Sequence, residues 1–180
     1  MTQRDRNELR KKIENYSYGL NDHLDLGHKS NTFKGLNEKT IEQVAIKVVD
    51  LRSKDRENEQ LNTEIEILKK LQHPNLIHCF DVYSTVNNCY IITEFCDQGD
   101  LENRITTRGI LIESEALIFF KDALSGFLFL AQERYIHGGL KPSCLFLKDK
   151  VVKIGGFSNV RKMKDKEQRK EVRFNPYQSP

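Results

Sequence analysis

The segment from Ser114 to Gln132, S-E-A-L-I-F-F-K-D-A-L-S-G-F-L-F-L-A-Q, constrains this chain more than any other. It is too long for an ordinary strand, and Leu117, Phe120, Leu124, Phe127 and Leu130 recur at helical spacing, with Ser114 placed to cap the helix. Phe119, Phe120, Phe127 and Phe129 are more large apolar groups than one narrow stripe can hold. Such a helix needs cover on two sides. Left uncovered, it would be an interaction site or an aggregation liability, and the chain poorly stable alone. Lys121 and Asp122 interrupt it, and no apolar run reaches the length of a membrane span.

The first half has a different period. Ile41 to Val49 is rich in β-branched residues and follows the turn-forming Gly35-Leu36-Asn37-Glu38-Lys39-Thr40. Lys54 to Leu71 carries Leu61, Ile65, Leu68 and Leu71 at helical spacing and ends at His73-Pro74-Asn75. Ile77–Tyr83 and Tyr90–Phe95 predict a hairpin joined across Ser84 to Asn88. Beyond the long helix, Leu145–Leu147 and Val151–Ile154 predict two short strands split by Lys148-Asp149-Lys150, and from Asn159 the chain is polar and aperiodic. The class is α+β, with a β-rich part giving way to a helical one near Cys96 to Gly99.

Charge argues against a nucleic-acid partner. The 29 basic residues are interspersed among 26 acidic ones for a net charge of +3. The most basic stretch, Arg161 to Arg173, is broken by Asp165, Glu167 and Glu171. Cys79, Cys89, Cys96 and Cys144 form no C-x-x-C pair and have no His at zinc spacing, so buried thiols are expected and no metal site. Met1-Thr2-Gln3-Arg4-Asp5 is charged and lacks an apolar core, which is not the pattern of a signal peptide; a cytoplasmic protein is expected.

Chemistry-bearing patterns then follow in order. Val44-Ala45-Ile46-Lys47 lies on a strand, and Glu64 follows on the first helix. Tyr90-Ile91-Ile92-Thr93-Glu94-Phe95-Cys96-Asp97-Gln98-Gly99-Asp100-Leu101 joins the two parts. Tyr135-Ile136-His137-Gly138-Gly139-Leu140-Lys141-Pro142-Ser143-Cys144-Leu145-Phe146 precedes Val151-Val152-Lys153-Ile154-Gly155-Gly156-Phe157-Ser158, and Tyr177-Gln178-Ser179-Pro180 closes the chain. Together these resemble the V-A-I-K strand, C helix, hinge, H-R-D catalytic loop, D-F-G and A-P-E regions of a eukaryotic serine/threonine protein kinase domain. The phrasing is closest to the autophagy-initiating kinases.

The resemblance implies a two-lobed kinase fold. Residues 1–15 would be an extension, 16–96 a small lobe of five strands and the C helix, and 97–180 part of a larger lobe. The helices that follow A-P-E in the family would be missing, so the chain is a fragment or its lobe is completed by something else. The nucleotide site carried over comprises Gly27, Ala45, Lys47, Glu64, the gatekeeper Thr93, Glu94, Cys96 and Phe146, with Lys47 and Glu64 as the phosphate-holding ion pair. Cys79, Leu68, Phe157 and His137 match the regulatory spine. Lys141 and His137 are retained with an expected structural role.

The departures fall on the chemistry. Gly139 stands where the family has its proton-accepting Asp, Cys144 where it has a magnesium-binding Asn, and Gly156 where it has the D-F-G Asp. Glycine supplies no base, and a thiol is a poor ligand for hard magnesium. Of G-x-G-x-x-G only Gly27 survives when the pattern is aligned backward from Lys34-Gly35, with Asp25 and Ser30 at the other glycine places; aligned forward from Gly27, two residues are missing instead. Phe174 and Asn175 alter the segment before Tyr177. The implied protein is a pseudokinase acting on a partner kinase or scaffold. Any ATP binding would be weak, and magnesium is not expected. A slow kinase and a nucleotide-binding switch stay open as alternatives.

Overall fold

A computed structural model describes residues 10–26, 30–52 and 56–163. The chain divides into two compact units, one of Met1–Asn58 with His78–Phe95, the other of Glu59–Ile77 with Cys96–Pro180. The second boundary lies where the composition changes. The helix expected to complete the small lobe, α1 (Arg56–Lys70), instead has its residues from Glu59 onward grouped with the second unit.

The first unit is built on an antiparallel sheet of β1 (Arg10–Ile13), β2 (Tyr16–Leu26), β3 (Ser30–Asn37), β4 (Glu42–Asp50), β5 (Cys79–Ser84) and β6 (Asn88–Glu94). Their order is β1-β2-β3-β4-β6-β5. This makes six strands among the described residues rather than the expected five. The extra one, β1, falls within the stretch read as an extension and pairs Arg10 with Gly19 and Ile13 with Tyr16. Alternation decides the core. Val44 and Ile46 of β4 point inward at 0% exposure, packing with Ile92, Tyr16, Tyr18 and Phe33. The sheet curls enough for β2 to reach β5: the Tyr16 hydroxyl donates to Asp81 Oδ2 at 2.5 Å, and the Tyr16 and Tyr83 rings lie 6.2 Å apart.

In the second unit, α2 (Leu101–Arg108) and α3 (Glu113–Gln132) pack on the hairpin β8 (Leu145–Lys148) and β9 (Val151–Ile154). A short pair joins β7 (Tyr135–Ile136) to β10 (Arg161–Lys162). The helix α3 starts one residue before the expected cap. Ile112 occupies the cap position, with no side-chain hydrogen bond, and Ser114 lies inside the helix. Its buried face is Phe119, Gly126 and Leu130, whereas Leu117, Ile118, Phe120, Leu124, Phe127 and Leu128 are exposed. The aromatic surplus is therefore real at Phe120 and Phe127. It does not extend to Phe119, which is buried with Leu101, Leu147 and Val152, nor to Phe129, which stacks on His73 at 4.7 Å. None of these helices is long and apolar enough to cross a membrane.

Candidate functional site

In the first unit, adjacent strands β4 and β6 carry the residues expected to meet a nucleotide. Ala45 faces Thr93 across the ladder, Lys47 faces Ile91, and Val44 faces Glu94. Alternation puts Ala45 and Lys47 on the side of β4 opposite the buried Val44 and Ile46, and both are half-buried. Glu94 is buried and fastens the strand end: its Oε1 accepts from the His78 amide at 2.8 Å, and its own amide donates to His78 O at 3.0 Å. The Lys34 ammonium stands 4.7 Å over the Phe95 ring. Gly27, the surviving glycine of the phosphate loop, lies outside the described residues, as do Phe174, Asn175 and Tyr177–Pro180.

In the second unit, Glu64 lies on α1 at 5% exposure, together with the buried Leu68. A buried carboxylate persists only where it is compensated. The loop after β7 begins with His137, 1% exposed, whose Nε2–H donates to Gly155 O at 2.9 Å. That bond fixes the tautomer and leaves Nδ1 buried without a hydrogen-bond partner among the described residues. Burial pushes the imidazole pKa down, against the opposing pull of that hydrogen bond. The His137 and Phe157 rings are 5.5 Å apart.

The loop then passes through Gly138 and Gly139 to the exposed Lys141 and a single turn, Pro142–Cys144. Cys144 is buried; its thiol donates to Gly139 O at 3.5 Å, and its carbonyl accepts from the Gly155 amide at 2.9 Å. Burial raises the thiol's pKa, so the sulfur stays protonated near neutral pH. Gly156 is left-handed, with φ 74 and ψ 45, and a Cβ there would lie 2.9 Å from Cys144 Sγ. Phe146 on β8 packs against Gly155, where a Cβ would come within 2.9 Å of its ring. Gly139, Cys144 and Gly156 are thus gathered in one place.

That place offers two glycines and a neutral thiol, and no side-chain oxygen from the three positions. It does not fit magnesium, which needs hard oxygen ligands. Among the described residues no group of three His, Cys, Asp or Glu is placed to hold a metal ion. Sequence reasoning found every one of these positions but missed Asn159, which covers Gly138 and Gly139. No motif marks it.

Residues 18–180 match the family model for the protein kinase domain. The chain is 38% identical over 151 residues to serine/threonine-protein kinase atg1 of Dictyostelium discoideum, covering 78% of this chain and 23% of that protein. It is 34% identical over 167 residues to the human serine/threonine-protein kinase ULK3, covering 89% and 35%. It is also similar to calcium-dependent protein kinase 5 of Plasmodium falciparum, at 32% identity over 126 residues, or 70% of this chain and 22% of that one. The chain spans between 22% and 35% of the length of these three relatives.

Proposed function

The chain belongs to the protein kinase family, and on that premise we propose that it is a pseudokinase, a kinase-type domain that regulates or scaffolds another protein without transferring phosphate. The observation that carries this reading is the cluster of Gly139, Cys144 and Gly156. At these positions the family's mechanism needs a proton acceptor and two metal-holding oxygens. Kinase catalysis is nearly all positioning and electrostatics, so there is little else to fall back on. A general base contributes roughly 10²–10⁴-fold, and metal stabilisation supplies several kcal/mol besides.

Lys47, Glu64, Ala45, Thr93, Glu94, Cys96 and Phe146 stand at nucleotide-site positions of the family, so the same reading allows ATP to bind weakly. Magnesium should not matter to that binding. The partner is another protein, a kinase or a scaffold, and the setting is cytoplasmic. A slow serine/threonine kinase is the second reading. The retained Lys47, Glu64 and Lys141 favour it, as do relatives named serine/threonine kinases.

The test is a nucleotide titration by calorimetry with and without magnesium, paired with a phosphoryl-transfer assay. Weak, magnesium-insensitive binding and no transfer are expected, with binding lost in Lys47→Met. Turnover above roughly 1 s⁻¹, the low end for kinases, or affinity rising tenfold on adding magnesium, about 1.4 kcal/mol, would refute the proposal.

A further inference from the structure

A second stripe of α3, none of whose residues belongs to the candidate site, borders a groove. Lys121, Ser125, Leu128 and Gln132 fall on successive turns, offset from the exposed seam of Leu117, Phe120 and Phe127. Ser125 is the small residue of this stripe, and around it Leu124, Leu128 and Phe129 wall a groove of about 410 Å³ that runs from Lys121 to Gln132. Over that stretch the helix rises about 16 Å. His73, from the loop after α1, closes the other side. Its ring stacks on Phe129 at 4.7 Å, and its Nδ1 accepts from the Asn75 amide at 3.1 Å, which puts the proton of the neutral ring on Nε2. Leu124 is 41% exposed and Leu128 50%, so the groove holds open apolar surface.

The rim is cationic. Lys121 lines the groove itself. Burial, and after it the Lys153 ammonium, pushes the His73 pKa down, and Lys153 Nζ donates to Pro74 O at 3.0 Å. Lys69 and Lys70 close α1 just before the loop that carries His73, and both are exposed. No lining residue is acidic. The carboxylates nearby are engaged elsewhere: Asp122 accepts from the Val152 amide at 3.0 Å, Glu115 pairs with Arg104, and Glu66 pairs with Lys162. Glu133, next after Gln132, acts on Tyr135.

An occupant must therefore be apolar on one side and negative around it. It must also satisfy its own backbone, because the walls are helix and loop side chains with no open strand edge to pair with. An α-helix meets both conditions. We infer that this groove docks an acidic amphipathic helix of the partner protein, with its apolar anchors on Leu124, Leu128 and Phe129 and its carboxylates toward Lys121 and the lysines that end α1. The inference rests on the proposed function in one respect, that the chain works by engaging another protein. It adds where that partner sits and what chemistry recognises it.

The probe is a labelled synthetic helix of leucine and glutamate in heptad order, titrated into the full chain by fluorescence anisotropy. Its controls are a scrambled isomer of the same charge and a counterpart with lysine for glutamate. The heptad peptide should bind about tenfold more tightly than either control, and it should shift the Ser125 and Gln132 amide resonances. Lys121→Glu and Leu128→Glu, both at exposed positions, should each weaken it by about tenfold. Lys11→Glu, in the first unit, should leave it unchanged, which separates the groove from general attraction to a basic chain. Equal binding of the scrambled isomer, or wild-type affinity in either groove variant, would overturn the inference. So would shifts confined to Phe120 and Phe127, which would put the helix on the seam instead. Self-association of the chain alone, abolished by Leu128→Glu, would make the occupant a second copy and overturn it too. Phosphoryl transfer by the chain would overturn the pseudokinase reading alone, leaving the binding pattern to decide the groove.

Discussion

Replacing Gly126 by alanine sets two ordinary effects against each other, and the structure says which should win. Gly126 lies inside α3, where alanine is favoured over glycine by about 1 kcal/mol. Its hydrogen is turned toward the loop after α1, however. An added Cβ would stand 2.7 Å from Asn75 O and 3.0 Å from Ile154 Cδ1. The Asn75 carbonyl cannot simply retreat, because it accepts the Ile154 amide at 2.8 Å, and the Asn75 side chain donates to Val152 O at 3.0 Å. Overpacking of this kind costs about 1–3 kcal/mol, and weakening one backbone hydrogen bond costs about 1 kcal/mol more. Once the propensity gain is subtracted, Gly126→Ala should be less stable than wild type by about 1–3 kcal/mol. Urea unfolding followed by circular dichroism gives the sign, and exchange at the Ile154 amide gives the location. A variant at least as stable as wild type, with Ile154 equally protected, would show that the α3 contact is slack and the steric reasoning wrong.

Asn75→Ala should cost about 1–3 kcal/mol through the Val152 carbonyl it leaves unpaired, and should combine non-additively with Gly126→Ala in a double-mutant cycle; strict additivity would mean the two sites are independent. Tyr16→Phe should lower the urea midpoint by an amount corresponding to about 1 kcal/mol, since it removes the hydroxyl that reaches Asp81 across the curled sheet. An unchanged midpoint would show that this closure adds nothing. Burial depresses the pKa of His137 and of His73, so the folded protein binds fewer protons than the unfolded chain below about pH 6.5. Stability should be full above that pH and fall as pH drops toward the folded-state values, a slope that thermal melts from pH 7.5 to 5.5 would read. His137→Gln should flatten it, leaving the part due to His73, and an unaltered slope would assign the effect elsewhere.

Strands β4, β5, β6, β8 and β9 and helices α1 and α3 were legible because period and β-branching state them directly, whereas residues 35–37, read as a turn, end β3 and Arg161–Lys162, read as aperiodic, forms β10. The helix α2 was not: L-E-N-R-I-T-T-R buries only Leu101, and its one clear signal was Asp100, whose Oδ1 accepts from the Asn103 amide. The strand β1 offers three charged residues out of four and no alternation, so it passed for an extension. In α3 the stripe through Leu117, Phe120, Leu124, Phe127 and Leu130 announced a helix correctly, yet of these five only Leu130 is buried, alongside Phe119 and Gly126. Burial on two-faced helices is settled by shape, which periodicity does not carry. The positions in the candidate site were named from motif resemblance, and Gly27 among them lies outside the described residues. The position of Asn159 beside Gly138 and Gly139 was not, since no motif marks it.

The identity of β1 bears on how this protein keeps its sheet to itself. A terminal strand displays unpaired amides and carbonyls that invite another chain to add on, the usual first step toward fibres. Among the described residues the strand that ends the sheet on that side is Arg10-Lys11-Lys12-Ile13, with the three cations exposed. Two copies approaching edge to edge would align positive charge against positive charge, a repulsion built into the same few residues that cap the ladder. Of the three, Lys12 is paired with Glu38 and Arg10 with Ser17, so Lys11 would contribute most to that repulsion.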